Sequence, residues 1–225
     1  DAICEYVNLQ EAEITPCVGC ETCMRKKIEG VTDFHCVHGI NGDNMYFIEQ
    51  KMRAADAIIV GSPTYNLMPP GILINFLNKM HSTADYRGLT EGPARCKIGA
   101  CYSVSGTDWT GFMPNIMRFI TMELIGSYDG VVDAAHFEFE TAYRAVLLNP
   151  DARKRMEKMG AIVAKAVIHK QKTGENAPYE GSEGVCPYCH TNVVEIRDGE
   201  AYCPMCNIKG TVTVEGGKDS LSLRY

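Results

Sequence analysis

Apolar positions along the chain follow two rhythms, short unbroken runs and stretches spaced three and four apart, and the two alternate. Ile3 to Leu9 reads as an opening strand. Asp43 or Asn44 can cap a helix whose apolar face is Met45, Ile48, Met52 and Ala55. Ala57, Ile58, Ile59 and Val60 form a run without polar breaks, as a strand buried on both faces of a parallel sheet would. Gly61, Ser62 and Pro63 are expected to stop it. From Gly71, the residues Ile72, Phe76, Leu77 and Met80 recur at helical spacing. His81 to Pro93 is a polar connector, and Lys97 to Val104 is the next strand. Ile116, Phe119, Ile120 and Leu124 mark one side of a helix from Pro114 to Leu124, and Tyr128 to Phe139 holds another strand. Asn149-Pro150 starts a long helix reaching about Gln171, with Pro at its first position. This order predicts an α/β fold, a doubly wound parallel sheet over residues 1–172. A Gly-, Glu-, Pro- and Ser-rich linker spans 173–184, and a small cysteine-rich unit fills 185–225.

Composition narrows the classes of function. The 225 residues suffice for one mid-sized domain and a small appendage, and 45% hydrophobic content is ordinary for a globular chain. No apolar run approaches the ~20 residues that cross a bilayer, and no secretory signal pattern is present. A net charge of −6 and a pI near 5.5 argue against nucleic acid or an anionic membrane as partner. Of the 11 cysteines, seven lie in C-x-x-C spacings. Such tight spacing suits metal ions better than structural disulfides, so a reducing, cytoplasmic location is expected.

The tail carries Cys186-Pro187-Tyr188-Cys189 and Cys203-Pro204-Met205-Cys206, two knuckles 13 residues apart. These four thiolates can converge on one tetrahedral ion. About 40 residues hold too little core to fold unaided, so the ion would supply the folding free energy. The spacing, with Val193, Val194, Tyr202, Val212 and Val214, resembles a zinc ribbon. Zn2+ is expected over iron because the aromatic core of rubredoxin, whose knuckles are similar, is largely missing. From Glu183 onward, four basic residues (Arg197, Lys209, Lys218, Arg224) face six acidic ones (Glu183, Glu195, Asp198, Glu200, Glu215, Asp219). A structural or docking role therefore suits this ribbon better than nucleic-acid binding.

The loop after the Ala57 strand lies at the carboxyl end of a parallel strand, where open α/β sheets bind ligands. Backbone N–H groups of Ser62-Pro63-Thr64-Tyr65-Asn66 can bond the polar edge of a flavin, and Tyr65 offers a face for stacking. By themselves these residues fit an ordinary loop with a surface tyrosine equally well. Together with Pro70-Gly71 and Ile74-Asn75-Phe76-Leu77, however, they resemble the second flavin loop of the NADPH-dependent FMN reductase group of flavodoxin-like proteins. That resemblance implies FMN as cofactor and makes 103–111 a third flavin loop, with Ser103, Ser105, Gly106 and Trp109 reading the ring edge or ribityl chain. A flavodoxin-like domain opens with a strand, a Ser/Thr/Gly-rich phosphate loop and a helix. None precedes Cys17, so a first βα unit of roughly 30 residues is expected upstream of Asp1, unless the phosphate grip is rebuilt.

Cys17, Cys20 and Cys23, on a loop punctuated by Pro16 and Gly19, can hold three corners of a [4Fe–4S] cluster. With the flavin loop, they resemble the iron–sulfur flavoprotein family, whose compact four-cysteine motif sits at this place. Cys36 is the expected fourth ligand of this 17–36 loop. It follows Cys23 after 12 residues, a longer gap than the family's, which leaves His35 and His38 as alternatives. Cys4, Cys96 and Cys101 read as buried small hydrophobes, Met113, Met117 and Met122 as packing, and His136 as a partly buried histidine with a satisfied partner.

The resemblance implies an FMN-dependent oxidoreductase relaying electrons between FMN and the cluster. Its redox partner would be a protein or NAD(P)H, and its assembly a homodimer or homotetramer. The alternatives are an NAD(P)H-dependent FMN or quinone reductase without a cluster, with the cysteines as plain reduced thiols, and a non-enzymatic docking module on a flavodoxin scaffold.

Overall fold

The computed structural model describes residues 2–31, 34–38, 43–80, 97–108, 111–142, 144–183, 185–214 and 221–224, with side chains placed up to residue 210. The chain does not open on a strand, because residues 2–8 have no regular structure. A strand needs a neighbour to take its backbone hydrogen bonds, and among the described residues this segment has none. Ile3 and Tyr6 are 95% and 87% exposed, while Val7 and Leu9 turn inward onto the core.

Helix α1 (Thr22–Ile28) lies within the expected 17–36 loop and carries Cys23, and α2 (Met45–Ala54) follows that segment. α2 buries Met45, Ile48 and Met52, the face its spacing predicts, and the Asp43 carboxylate accepts the Met45 N–H at 2.8 Å. Strand β1 (Ala57–Pro63) runs on past Val60. Its parallel pairing with β2 (Ile98–Val104) continues to Pro63 opposite Val104. Pro63 is the last strand residue, where a missing N–H costs the ladder little. Gly61 fits because the Tyr102 ring crosses it, 2.2 Å from where a Cβ would stand.

Between strands run α3 (Gly71–Lys79) and α4 (Met113–Ile125), and β3 (Val131–Phe137) completes the parallel order β1-β2-β3. The one-turn α5 (Ala145–Leu148) and the long α6 (Pro150–Thr173) follow. Alternation along the strands sends Val60, Cys101 and Ala134 toward α2, α3 and α4. Ile98, Ala100 and Val132 meet Met159, Ile162, Val163 and Ala166 of α6 on the opposite face. The sheet is therefore doubly wound and flavodoxin-like. Each fully buried Met or Ile contributes about 1.5–3 kcal/mol, and Met113, Met117 and Ile120 of α4 are among them. Phe119, expected on that inner side, is exposed, since it lies about 100° around the helix from Ile120.

Asn149 caps α6, its side chain accepting the N–H groups of Asp151 and Ala152 at 3.0 and 3.2 Å. Arg155 then stitches α6 to β3 through two bonds, 2.7 and 2.5 Å, to the buried Asp133 carboxylate. Beyond α6 the chain hugs the sheet: the Glu180 N–H donates to the Val132 carbonyl at 2.8 Å, and Arg118 reaches Ser182 Oγ at 3.2 Å. Four short antiparallel strands end the chain, β4 (Glu195–Arg197), β5 (Glu200–Tyr202), β6 (Lys209–Val214) and β7 (Leu221–Arg224), in that order. No helix among the described residues is long and apolar enough to cross a membrane.

Candidate functional site

The loops after β1 and β2 meet at the carboxyl end of the sheet. Thr64 is tied to β2 by its N–H on the Val104 carbonyl at 2.8 Å. Tyr65 and Met68 then exchange two backbone bonds of 2.9 and 3.0 Å around Asn66 and Leu67. Both central residues are left-handed, at φ 49° and 66°, as a mirror-image two-residue turn requires. That conformation is costly for a leucine. The turn consumes the polar groups of Tyr65 and Met68, so the N–H groups of Asn66 and Leu67 lie outside its bonds and can meet a ligand.

Thr64, Asn66, Leu67, Ser105, Gly106 and Thr107 line a depression of about 180 Å³. Pockets for drug-sized ligands run to about 300–1,000 Å³, so these loops form an open shelf for one edge of a ring rather than a closed slot. Two observations fit a flavin. Thr64 Oγ1 is buried without a hydrogen-bond partner, a polar atom awaiting one. The Tyr65 ring is 63% exposed beside it.

The expected site residues divide into two sets. Thr64, Asn66, Ser105 and Gly106 line the shelf, with Pro63 and Tyr65 exposed at its rim. Ser62 and Ser103 are buried beneath it: Ser62 Oγ donates to the Pro63 carbonyl at 2.9 Å, and Ser103 Oγ lies 2.6 Å from His136 Nδ1. Their hydroxyls brace the loops from below. Trp109 lies outside the described residues. His136 also has Ser105 Oγ at 3.4 Å from its Nε2, and burial pushes its pKa below the usual histidine value, so it is neutral at pH 7.

Gly111 locks the two loops together. It sits at φ 53°, and a Cβ there would stand 2.9 Å from Leu67 Cβ. Gly111→Ala is expected to cost about 1–3 kcal/mol in a denaturant titration and to weaken FMN binding about tenfold in an equilibrium titration. An unchanged midpoint and affinity would show that the loops do not depend on this contact.

Cys17, Cys20, Cys23 and Cys36 line a single small pocket, about 30 Å³, with His38 and Lys79. Of the two histidines kept as alternatives, His38 is at the pocket. His35 instead packs edge-on against Tyr46, 4.5 Å between ring centres. Thr22 hydroxyl and N–H hydrogen bonds hold the Cys20 thiol below its ordinary pKa, whereas burial, aided by the nearby Cys17 and Cys20 charges, pushes Cys23 up. Among the described residues, these sulfurs do not close into a cage tight enough for one ion. The donor set, four thiols around one pocket, is of the kind that holds a [4Fe–4S] group. Cys4, expected to be buried, is exposed on the unpaired opening segment, and Cys101 is buried in β2.

Sequence pattern missed how this loop is held. Asn75 of α3 accepts the Cys17 N–H through Oδ1 at 3.2 Å and donates from Nδ2 to the Ile14 carbonyl at 3.2 Å. One turn further on, Lys79 Nζ donates to the Thr15 carbonyl at 2.9 Å and pairs with Asp43.

In the tail, the Cys186, Cys189, Cys203 and Cys206 sulfurs all lie within 4.8 Å of one another. Cys186 and Cys206 are 3.6 Å apart, and Cys189 and Cys203 3.4 Å, close to the ~3.8 Å set by four Zn–S bonds of ~2.3 Å. The buried Thr191 hydroxyl touches two of them, 3.2 Å from Cys189 and 3.3 Å from Cys203. Although burial acts against it, hydrogen bonds from Thr191 and from the Cys206 and Met205 N–H groups bring Cys203 down to about 6. Met122 and Ile125 of α4 and Val131 of β3 cover the cage. The donor set fits zinc or iron.

Comparison with known proteins adds four findings. A sequence model of the NADPH-dependent FMN reductase family matches residues 4–129, which contain the loops after β1 and β2 and the cysteine loop. An iron-sulfur flavoprotein of Archaeoglobus fulgidus is 31% identical over 85 residues, 37% of each chain. One of Methanocaldococcus jannaschii is 38% identical over 61 residues, 27% of this chain and 26% of its own. The chain thus spans about a third of the length of these relatives. A solved flavone reductase superposes on 88% of this chain and 68% of its own, with a TM-score of 0.59 and 23% identity, and so shares the fold.

Proposed function

The chain belongs to the NADPH-dependent FMN reductase family, and from that membership we propose that it is an FMN-dependent oxidoreductase that relays electrons between FMN and a [4Fe–4S] cluster. The observation that carries this reading is the gathering of Cys17, Cys20, Cys23 and Cys36 around one pocket, at the far end of the helix that starts from the flavin shelf.

FMN, when bound, supplies two-electron exchange with a hydride-type partner and one-electron exchange with a cluster, which carries single electrons. The protein's own part is binding and orientation. Asn66 and Leu67 N–H groups and the Thr64 hydroxyl would meet the polar ring edge, Tyr65 would stack on its face, and Ser105 and Gly106 would close the opposite side. Neutral His136, bonded by Ser103 and Ser105, keeps the second loop in register without adding charge under the ring. Cys17, Cys20, Cys23 and Cys36 would ligate the cluster, and the tail tetrathiolate would hold a structural Zn2+. Tyr65, Leu67, Met68 and Phe112 are all exposed near the shelf, which supports a homodimeric or homotetrameric assembly with a subunit contact here. Electrons would come from NAD(P)H or a redox protein.

A second reading, an NAD(P)H-dependent FMN or quinone reductase without a cluster, is favoured by the exposure of Cys17 and Cys20. Metal and flavin analysis of anaerobically purified protein separates the two. We expect about four iron, one zinc and one FMN per chain. Flavin bands without iron would replace the first reading by the second, and protein that refuses added FMN would end both.

A further inference from the structure

Lys79 is the least expected residue at the cysteine pocket. Its side chain and that of Asp43 are 1% and 3% exposed, and the two form an ion pair. A buried ion pair stabilises little by itself, so its value lies in what it holds in place. Lys79 Nζ bonds the Thr15 carbonyl and hydroxyl as well as the Asp43 carboxylate. Asp43 Oδ2 in turn accepts the Thr15 N–H at 3.3 Å and the Thr15 hydroxyl at 2.6 Å, while Oδ1 caps α2. Thr15 is two residues before Cys17, whose N–H is fixed by Asn75, four residues before Lys79 on the same face of α3. Lys79 itself lines the pocket.

α3 begins just beyond the flavin-loop turn and ends at Lys79. It is a nine-residue rod, about 13 Å long at 1.5 Å per residue, with the flavin shelf at one end and the cysteine pocket at the other. We infer that Lys79, through Asp43 and Thr15, is the positioning residue that clamps the cysteine loop to the flavin helix and so fixes the cluster ligands relative to the flavin. This inference rests on the reading that Cys17, Cys20, Cys23 and Cys36 ligate a cluster. The clamp needs charge at its centre because one ammonium must bond three acceptors on two segments at once.

The test uses the full chain, reconstituted anaerobically. Lys79→Met removes the ammonium but strands the Asp43 carboxylate. Lys79→Met/Asp43→Asn removes both charges while leaving an oxygen to cap α2, and keeps the test valid where the single variant folds poorly. With FMN retained, either variant should lose iron at chelator concentrations about 10- to 100-fold lower than wild type, and the reduction potential of the remaining cluster should shift. In cluster-free protein, the half-buried Cys23 should be alkylated at least about tenfold faster, located by peptide mass mapping, because the segment before it is no longer held. Iron retention, potential and alkylation rate equal to wild type in a folded, FMN-bound variant would overturn the inference. Wild type that takes up no iron would instead defeat the cluster reading, and the alkylation comparison would then decide the clamp alone.

Discussion

Replacing Cys203 with serine is expected to release the tail's metal and unfold residues 185–225, while the FMN-binding part of the chain stays folded. The reason is how little else holds the tail. Every residue of β4 is exposed, and of β5 only Ala201 is buried. Among the side chains described, up to residue 210, the other buried ones of the unit are Cys186, Cys189, Cys203, His190 and Thr191, with Cys206 half-buried, so the four sulfurs lie at its centre. A structural Zn2+ in such a unit contributes apparent binding energy of about 10–16 kcal/mol at pH 7, far more than these short strands can supply. Serine offers a poor zinc donor at this position and removes the sulfur that Thr191 bonds. Zinc content should fall to near zero, and limited proteolysis should cut within the tail long before it attacks α6. The loss should also reach the end of α4 and the start of β3, because Met122, Ile125 and Val131 pack on Cys186, Cys189 and Cys203 and would face water. A protease-resistant tail in zinc-free Cys203→Ser protein would show that β-sheet packing holds the ribbon and the metal is incidental.

How much of this was legible in the residues depends on the range of the interaction. The Asn149-Pro150 start of α6, the Met45/Ile48/Met52 face of α2 and the strand at Ala57 are local signals, and each appears where the pattern puts it. The opening strand failed because Ile3–Leu9 has the right side chains but no neighbouring backbone to pair with. The Gly-, Pro- and Ser-rich segment after α6 reads as a linker because composition reports the absence of helix. It does not report that Tyr179 stacks on His190, 4.2 Å between ring centres, or that Arg118 reaches Ser182. Within the site, spacing alone groups Cys17, Cys20 and Cys23, but the arrival of Cys36 and His38 at the same pocket is tertiary. Lys79 looks like a solvated end-of-helix lysine until Asp43, 36 residues earlier, is seen against it. Gly111 likewise gains its meaning only from Leu67 across the gap.

Cys20→Ala should strip the chain of cluster iron and leave its flavin in place, and this outcome separates the two redox readings. Cys20 sits at the middle of the C-x-x-C-x-x-C loop, so neither neighbouring cysteine can span its position without moving the other. Losing a ligand is expected to cost more than the 10- to 100-fold typical of the groups that merely support one, and iron should fall below about one-tenth of the wild-type content. The flavin shelf is built from β1, β2 and their loops and takes nothing from Cys20, so FMN content and flavin reduction by NAD(P)H should be unchanged. Electron delivery to a one-electron protein acceptor should fall in proportion to the iron. Cys36→Ala provides the internal comparison. His38 lines the same pocket, and an imidazole there could take the vacant corner, so this variant should keep part of its iron with an altered potential, as clusters with histidine ligands do. Equal, complete loss in both variants would make Cys36 irreplaceable. If Cys20→Ala matches wild type in iron and in one-electron transfer, the cysteine loop is not the ligand set, and the cluster-free reductase becomes the better account of this chain.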